Sequence, residues 1–363
     1  MSFHDDCLVF DGHTDVPTRL WEQPRSLAER CTDRHVDLPR LLEGGVDALV
    51  WALYVPAGLS PTAGLAHAEA LYRASLAALV PDRLVACARG EDVRRVVSNG
   101  GIAVMFGLEN GRPLSIPGAL DQVARWGVRY VTLTHWTSHE WCDASTDEPR
   151  HEGLSAEGRD LVRAMNRAGI LPDLSHVSDA AVEQVLEVSK VPPIASHSSA
   201  RALANHPRNL PDRLIREIAR AGGLVMANTF PAFVDERAGR EATERQRQLG
   251  PELQELEARY FEEPAKIAPE IARRLADWPL PAVALERFVD HVIHLIELGG
   301  EEHVGIGTDF DGIPETLEGF EDVSRFPALT AALLDRGVDR AGIQRILGEN
   351  FLDRLEQAEK ATS

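Results

Sequence analysis

The sequence predicts a single (β/α)8 barrel, or TIM barrel, spanning residues 1–363, with a functional site at the carboxyl ends of its strands. Eight short apolar runs alternate with segments of helical periodicity, which is typical of βα units around a parallel sheet. Val, Ile and Leu dominate the runs, as expected for strands covered on both faces. Six of the eight runs end at a residue that can bind a metal ion or transfer a proton, and in such barrels these residues lie at one face.

Each of the eight apolar runs is predicted to form one strand, in the order of the chain. Two runs, at residues 46–55 and 222–230, carry no chemically active group at the tip. Each of the other six carries such a group near its end: residues 8–15 carry His13 and Asp15, residues 102–110 carry Glu109, residues 128–135 carry His135, residues 170–176 carry His176, residues 191–197 carry His197, and residues 303–312 carry Asp309 and Asp311. Glycine pairs punctuate the entries to three strands, at residues 44–45, 100–101 and 222–223.

Helices are predicted between these strands and after the last one. Helical periodicity covers residues 63–80, 155–170, 179–190 and 210–221, and two closing helices follow at 326–337 and 340–360. Residues 231–280 break the alternation, because they are highly charged, helix-prone and too long for a bare connection between strands seven and eight. We interpret this segment as a helical insertion near the barrel mouth; the alternative is a solvated excursion remote from the site.

Composition limits the classes of protein to which this chain can belong. With 363 residues, of which 44% are hydrophobic, it can bury a large core, and its net charge of −19 argues against binding nucleic acid or an anionic membrane. Neither a signal peptide nor a run of the roughly 20 apolar residues that span a bilayer is evident. The four cysteines form no CxxC pair and are interpreted as reduced thiols, with one chance disulfide possible. We therefore expect a cytoplasmic enzyme.

The first strand ends in a candidate metal-binding pair. His13 and Asp15 are two residues apart, and on an extended strand such residues point to the same side, so both can reach one ion. An HxD triplet alone is weak evidence, because such triplets arise often by chance. Its place at a strand tip, after Asp11 and Gly12, makes the metal interpretation stronger.

Glu109 ends a very apolar strand, where a carboxylate is costly to bury without a cation. Its two oxygens could bridge two metal ions about 3.5–4 Å apart. The alternatives are that Glu109 caps the following turn or pairs with Arg112. Many binuclear barrel hydrolases use a carboxylated lysine as the bridge, but the three lysines of this chain lie away from the strand tips, which favours Glu109.

His176 and His197 are the last residues of two adjacent strands, and each follows a serine. Neutral imidazoles are common zinc ligands, although an isolated buried histidine is more often a satisfied hydrogen-bonding group. Together with the HxD pair and Glu109 on the same rim, the two histidines are better explained as ligands of a metal centre.

Six motifs in order resemble the renal dipeptidase family, also called membrane dipeptidases or peptidase family M19. They are DGHTDVP, GLEN, LTH, DLSH, ASHSSARAL and GIGTDFDG, and the resemblance runs from about residue 8 to the final helices. It implies a barrel of the metal-dependent hydrolase type. It also implies a zinc-dependent dipeptidase that often accepts a D-residue at the C-terminal position, and a homodimer as a possible assembly.

The resemblance also implies roles for individual residues. Two zinc ions per chain are expected, one held by His13 and Asp15 and the other by His176 and His197, with Glu109 and a water or hydroxide bridging them. By the same resemblance His135 faces the scissile carbonyl, Asp309 handles protons, and Arg208 binds the substrate carboxylate. Arg201 is a rival anchor for that carboxylate, and Asp311 is expected to order its loop.

Two other functions stay open from the sequence. A different binuclear metal amidohydrolase, acting on N-acyl amino acids, lactones or β-lactams, would need the same metal chemistry and differ only in its pocket. A metal-stabilised binding protein without activity is the second alternative, although the ligands and both proton-handling groups are present. His139, Trp136 and Trp141 are candidates for lining the pocket, with core packing as their alternative role. His291 and His294 could mimic a ligand pair.

Overall fold

The computed structural model describes residues 2–361, and its parallel sheet confirms the predicted (β/α)8 barrel. Eight strands form the ring and one short strand, β3, lies beside it. In chain order the strands of the described residues are β1 (Phe10–Thr14), β2 (Ala48–Tyr54), β3 (Leu84–Ala86), β4 (Ile102–Glu109), β5 (Val128–Thr132), β6 (Leu171–Asp173), β7 (Ile194–Ala195), β8 (Leu224–Ala227) and β9 (Val304–Ile306).

The barrel closes between its first and last strands through few contacts. Neighbouring strands follow the order β1, β2, β4, β5, β6, β7, β8 and β9, and every pair is parallel. The ring is completed by a bridge between Thr14 and Phe310, and the Asp309 amide donates to the His13 carbonyl at 3.0 Å. We call this junction the closing seam. The Asp11 carboxylate reinforces it by accepting hydrogen bonds from the amide and hydroxyl of Thr308.

Helices surround the sheet on its outer side. The α-helices are α1 (Val16–Glu22), α2 (Leu38–Glu43), α3 (Pro61–Ala78), α4 (Gly90–Ser98), α5 (Ala119–Arg125), α6 (Ala156–Arg167), α7 (Asp179–Val188), α8 (Asp212–Arg220), α9 (Pro231–Val234), α10 (Glu236–Arg259), α11 (Ile267–Leu275), α12 (Leu285–Gly299), α13 (Phe326–Asp335), α14 (Arg340–Gln344) and α15 (Asn350–Lys360). Short 3-10 turns occupy Phe3–Asp6, Arg112–Ser115, Pro264–Lys266, Glu301–His303 and Val323–Arg325, and a π-helical turn at Arg345–Glu349 joins α14 to α15.

Serine residues begin several of these helices, because a hydroxyl can accept a hydrogen bond from an otherwise unpaired amide of the first turn. Ser60 caps α3, Ser155 caps α6 and Ser178 caps α7, each by accepting from the backbone N–H three residues later. The long predicted helices at 63–80, 155–170, 179–190 and 210–221 correspond to α3, α6, α7 and α8 within a few residues.

The barrel interior is packed and forms the floor of the site. Inward-facing residues alternate with outward ones along the strands, as in Ala48 and Val50 of β2 and Ala103 and Met105 of β4. Helix α15 closes the amino-terminal end of the barrel, where Phe351 packs edge-on against Phe10 with ring centroids 4.8 Å apart. The opposite, carboxyl end is therefore the open end at which ligands can enter.

Residues 231–280 fold mainly into α9, α10 and α11, and part of this segment contacts helices that follow the first two barrel strands. The Phe261 ring packs against Trp21 after β1 and His67 on α3, with centroids 5.4 and 5.3 Å apart. Arg245 of α10 forms a two-pronged pair with Glu315, in the loop after β9. These contacts hold the segment against α1, α3 and the loop that follows β9.

The small strand β3 was not predicted from the sequence. It pairs with residues 102–104 at the beginning of β4, on the edge that β5 occupies from Phe106 onward. Three residues are too few to give a recognisable pattern. None of the described helices has the length and apolar character needed to cross a bilayer.

Candidate metal centre

The residues predicted at the strand tips converge at the carboxyl end of the barrel. His13 lies in β1 and Asp15 directly follows that strand, whereas Glu109 is the last residue of β4. The remaining members follow their strands by two or three residues: His135 after β5, His176 after β6, His197 after β7 and Asp309 after β9. All are buried except Asp309, which is partly exposed. Side chains from six strands thus meet in one space.

Glu109 lies at the centre of this space. Its Oε1 is 3.2 Å from His176 Nε2, 3.5 Å from His197 Nε2 and 3.6 Å from His135 Nε2. Its Oε2 is 3.7 Å from His13 Nε2 on the other side. The two carboxylate oxygens therefore face different imidazoles, which is the arrangement needed to bridge two cations. Arg112, the alternative partner considered for Glu109, pairs instead with Glu140.

The donor atoms fit metal ions. The Nε2 atoms of His176 and His197 face each other at 3.0 Å, and the Nε2 of His13 has no hydrogen-bond partner among the described residues. Three overlapping groups can each hold an ion: His13, Glu109 and His197; Glu109, His135 and His176; and His13, Asp15 and Asp309. Imidazole nitrogens and carboxylate oxygens are the ligand set that zinc accepts.

Tyr130 fixes the orientation of the His13 ring. The Tyr130 hydroxyl lies 3.2 Å from the Gly12 carbonyl, which can only accept, so the single phenolic proton is donated there. His13 Nδ1, 2.8 Å from the same hydroxyl oxygen, must then be the donor of the second hydrogen bond. Nε2 is left to face the carboxylates. Gly107 permits this crossing of the barrel, because a Cβ at that position would lie 2.4 Å from the Tyr130 ring.

Asp173 and Ser196 orient His197. Ser196 Oγ donates its proton in a hydrogen bond to Asp173 Oδ2 at 2.6 Å. The same oxygen lies 2.7 Å from His197 Nδ1 and therefore accepts a hydrogen bond from that nitrogen. Asp173 also accepts from the Thr132 hydroxyl and from the amide of Ser175. Such hydrogen bonds behind a ligand set its tautomer and ring angle.

Electrostatics keep three of the imidazoles neutral, which is the form that binds metal. Burial lowers the pKa of His135 and His176 well below the ordinary value, and the positive charge of Arg208 lowers them further. Burial also lowers the pKa of His197, and the positive charge of His13 lowers it further. Protonated imidazoles would repel a cation, so this environment favours ligation.

The opposite side of the site favours positive charge. Burial lowers the pKa of His13, but Tyr130 first, and then Glu109 and Asp15, raise it well above the ordinary value. Burial raises the pKa of Asp15 and brings that of Asp309 to about 6. Asn228 donates to Asp309 Oδ2 at 2.9 Å and thereby supports the ionised form.

Arg208 is a buried cation without a carboxylate partner within the described part of the chain. Its Nη2 donates to the His197 carbonyl at 3.2 Å, its Nε has no partner there, and its guanidinium lies 5.2 Å from the Phe233 ring centroid. Burial lowers the pKa of Arg208 to about 10. Arg201, the rival anchor, is instead held by both oxygens of Asp179 at 2.7 Å. Only Arg208 of these two is free to receive an anion.

The backbone bends sharply at several strand tips. His176, Asp309 and Asp311 have φ angles of 69°, 66° and 68°, in the left-handed region that residues other than glycine rarely adopt. Each such conformation costs about 1–3 kcal/mol and persists where the surrounding structure determines it. Asp311 orders this loop, since its Oδ1 accepts from the His35 amide and its own amide donates to His35 Nδ1.

Other candidates from the sequence lie outside the cluster. His291 accepts from the Ala200 amide at Nδ1 and donates to the Val234 carbonyl from Nε2. His294 pairs with Asp212, so the two rings do not form a ligand pair. His139 and Trp141 pack against each other in the interior. All four cysteines are free and buried. Trp136, in contrast, is exposed beside His135.

Sequence reasoning missed the residues that support the cluster from behind. Tyr130 and Asn228 were not singled out, although they are buried and hydrogen-bonded to His13 and Asp309. Asp173 was missed too; it is buried and reaches His197 through the Ser196 hydroxyl. Asp173 carried a signal, because an acid within the apolar run 170–176 requires partners. Tyr130 carried none, because its contact with His13 depends on how the strands are staggered.

Comparisons with known proteins agree with this geometry. A family model described as membrane dipeptidase (peptidase family M19) matches residues 2–363. The dipeptidase tcpJ of Claviceps purpurea (strain 20.1) is 33% identical over 340 residues, which cover 90% of this chain and 69% of that protein.

Two solved structures are similar over nearly their full length. The probable dipeptidase PvdM from Pseudomonas aeruginosa has a TM-score of 0.83 at 25% identity, covering 99% of this chain and 97% of its own. A metallo peptidase from Rhodobacter sphaeroides, liganded with a phosphinate mimic of the dipeptide L-Ala-D-Ala, has a TM-score of 0.77 at 25% identity, covering 97% and 99%.

Proposed function

The chain belongs to the membrane dipeptidase family, peptidase family M19, and is a metal-dependent dipeptidase of that family; we propose that it is a binuclear zinc enzyme hydrolysing the peptide bond of free dipeptides. The observation that carries this proposal is the position of Glu109, whose two oxygens face imidazoles on opposite sides. A buried carboxylate in such surroundings is stabilised best by cations.

The zinc ligands proposed are those expected from the sequence. His13 and Asp15 would hold one ion, His176 and His197 the other, and Glu109 both. A pair of zinc ions held there would lower the pKa of bound water toward neutrality and so supply the nucleophile. The neutral imidazoles on one side and the acid-rich surroundings of His13 on the other both support cation binding at these positions.

His135 is proposed to stabilise the charge that develops on the carbonyl oxygen. It is neutral and buried, and its Nε2 lies 3.6 Å from Glu109 Oε1. A neutral imidazole can donate one N–H to that oxygen as negative charge accumulates there. Distance to Glu109 alone does not separate His135 from the proposed ligands, so the assignment rests on the family resemblance.

Asp309 is proposed to move the proton. As water attacks the carbonyl carbon, one proton passes to the Asp309 carboxylate, and it is delivered to the leaving amine when the C–N bond breaks. A pKa near 6, raised by burial and restrained by Asn228, suits a group that must accept and release a proton near neutral pH.

Arg208 is proposed to bind the free carboxylate of the substrate. A buried guanidinium without an acidic partner in the described residues is costly, and a two-pronged bond to a carboxylate would satisfy it. An anchor for the free carboxylate this close to the metal cluster suits a substrate as short as a dipeptide.

A D-residue at the C-terminal position is included in the proposal. Support comes from the Rhodobacter sphaeroides relative, which binds a mimic of L-Ala-D-Ala. We also propose that the 231–280 segment forms part of the mouth of the site, on the strength of its contacts with Trp21, His67 and Glu315. The single-domain organisation, the cytoplasmic location and the possible homodimer stay predictions.

The test combines metal analysis with one substitution and a matched control. The wild-type protein should contain about two zinc ions per chain and hydrolyse L,L- or L,D-dipeptides. Glu109→Gln removes the bridging charge and should abolish both zinc occupancy and turnover, with the fold retained by circular dichroism. Glu140→Gln, which weakens pairs with Arg112 and His139 outside the metal cluster, should behave as wild type.

Two results would contradict the proposal. Turnover retained by Glu109→Gln would exclude its bridging role. A zinc-loaded wild-type protein that cleaves N-acyl amino acids, lactones or β-lactams but none of the dipeptides would keep the metal centre and refute the substrate.

A further inference from the structure

Trp136 is an exposed aromatic residue at the edge of the metal centre. Its side chain is 43% exposed, and the other exposed large hydrophobic residues of the described chain are three leucines on outer helices, Leu42, Leu76 and Leu334. Its ring stands edge-on to two site imidazoles, with centroids 5.4 Å from His135 and 5.3 Å from His176. One part of the indole therefore covers the site, while the rest is open to an incoming molecule.

The loop that carries Trp136 is held in place by hydrogen bonds. The Thr146 hydroxyl donates to the Trp136 carbonyl at 2.9 Å. Further along the same loop, the Ser145 amide donates to the His176 carbonyl at 2.8 Å, which ties the loop to a proposed ligand. A surface held in its bound position before the ligand arrives loses little conformational entropy on binding. Trp136 is thus a preformed wall.

The side of the site on which this wall lies determines which end of the substrate it meets. In the proposed binding mode His135 faces the scissile carbonyl and Arg208 holds the free carboxylate, so the C-terminal residue lies between these two side chains. Trp136 packs edge-on against His135 itself and against His176. Arg208 donates to the carbonyl of His197, whose ring is 5.0 Å from that of His176. The side chain of the C-terminal residue would therefore meet Trp136.

We propose that Trp136 is a specificity-determining residue that forms an apolar wall for the side chain of the C-terminal residue, favouring large apolar or aromatic side chains there. This inference rests on the proposed dipeptidase function and adds the substrate class. A closed apolar pocket distinguishes one methylene group by about 10- to 200-fold. Because Trp136 covers the side chain from one side only, we expect its removal to reduce selectivity for Phe over Ala by roughly 10-fold, at the low end of that range.

The experiment uses the full-length, zinc-loaded protein and two series of dipeptides. One series varies the C-terminal residue, Ala-Ala, Ala-Leu and Ala-Phe, with that residue in the L or D form that the wild type prefers. The other varies the N-terminal residue, Leu-Ala and Phe-Ala. kcat/KM is measured for the wild type, Trp136→Ala and Trp136→Phe, with Leu334→Ala as a control that removes an exposed apolar side chain from α13.

The expected result is selective. The ratio of kcat/KM for Ala-Phe to that for Ala-Ala should fall about 10-fold in Trp136→Ala, recover largely in Trp136→Phe and stay unchanged in Leu334→Ala. Ratios in the N-terminal series and the zinc content should not change.

Other results would overturn the inference. An equal loss of kcat/KM for every substrate, or a loss of zinc, would mean that Trp136 only shields His176 from water. A change confined to the N-terminal series would assign the wall to the other residue of the substrate. If the wild type cleaves dipeptides and Trp136→Ala has the same selectivity, the inference about Trp136 is wrong and the proposed function stands. If the wild type cleaves no dipeptide, both the inference and the proposed function are wrong.

Discussion

Replacing Tyr130 by Phe should weaken binding of the metal ion next to His13 while leaving the barrel folded. The change removes only a hydroxyl, and the ring keeps its place against Gly107 in the core. Two hydrogen bonds are lost, from His13 Nδ1 at 2.8 Å and to the Gly12 carbonyl at 3.2 Å. The imidazole is then free to rotate or to carry its proton on Nε2, the atom that faces Glu109 and Asp15.

The size of the effect follows from these contacts. Each lost hydrogen bond is worth about 0.5–1.5 kcal/mol, so the two together amount to about 1–3 kcal/mol. Ser196 cannot replace the hydroxyl, because its Oγ is 3.5 Å from His13 Nδ1 and is already bonded to Asp173 and His197. We therefore expect zinc affinity at this position to fall about 10- to 100-fold, the range seen when groups behind a ligand are removed.

The assay is zinc content measured by mass spectrometry after dialysis against buffers of fixed free zinc. Two binding steps should be resolved, with one shifted in Tyr130→Phe and the other nearly unchanged. Tyr72→Phe is the control, because its ring stacks on Trp126, outside the metal cluster. If Tyr130→Phe binds both ions as tightly as Tyr72→Phe does, the argument that this hydroxyl fixes His13 is refuted.

One further change tests the geometry around the site, and another tests a buried carboxyl on α1. Gly312→Ala would place its Cβ 2.1 Å from Asp15 Oδ2, so zinc content and kcat/KM should fall by more than about 10-fold, whereas Gly58→Ala, with nothing within 4 Å, should match the wild type in both. Glu22 has a pKa raised to about 7, chiefly by burial, so the native state loses stability as pH rises from about 4.3 to 7, where the unfolded carboxyl is ionised first. Glu22→Gln should therefore raise the free energy of unfolding of the metal-free protein, measured with urea at pH 8, by up to about 3 kcal/mol, a figure in which the pair with Arg19 is already included; a free energy that stays equal to or below that of the wild type at pH 8 would contradict the cause assigned to this shift.

The barrel could be predicted because each of its strands is short, apolar and followed by a helix, a pattern that depends on local sequence. The strand-tip residues could be predicted for a related reason: Glu109 and His176 are polar groups at the ends of buried runs, where they need a partner. The family resemblance then supplied roles that spacing could not, above all for Arg208, which is eleven residues beyond His197 on an irregular loop.

What could not be predicted depends on contacts between distant parts of the chain. Tyr130 reaches His13 across 117 positions and through the barrel interior, so neither residue identifies the other in the sequence. Strand β3 could not be predicted for a similar reason, because its three residues form a strand only by pairing with the free edge at the beginning of β4. The exposure of Trp136 and the burial of Trp141, five positions apart on the same loop, also required the folded chain.

The closing seam has a consequence for how the enzyme matures. His13 lies in the first strand and Asp15 directly follows it, whereas Asp309 is made more than 290 residues later, and the three side chains form one group that could hold a cation. A nascent polypeptide therefore cannot assemble this half of the centre until its last strand has docked beside its first. A cation bound there would connect the first and last strands of the ring. Under chelation we expect amide hydrogen exchange to quicken first at Asp15 and Asp309, whose amides donate across the seam, before the long ladder between β2 and β4 opens.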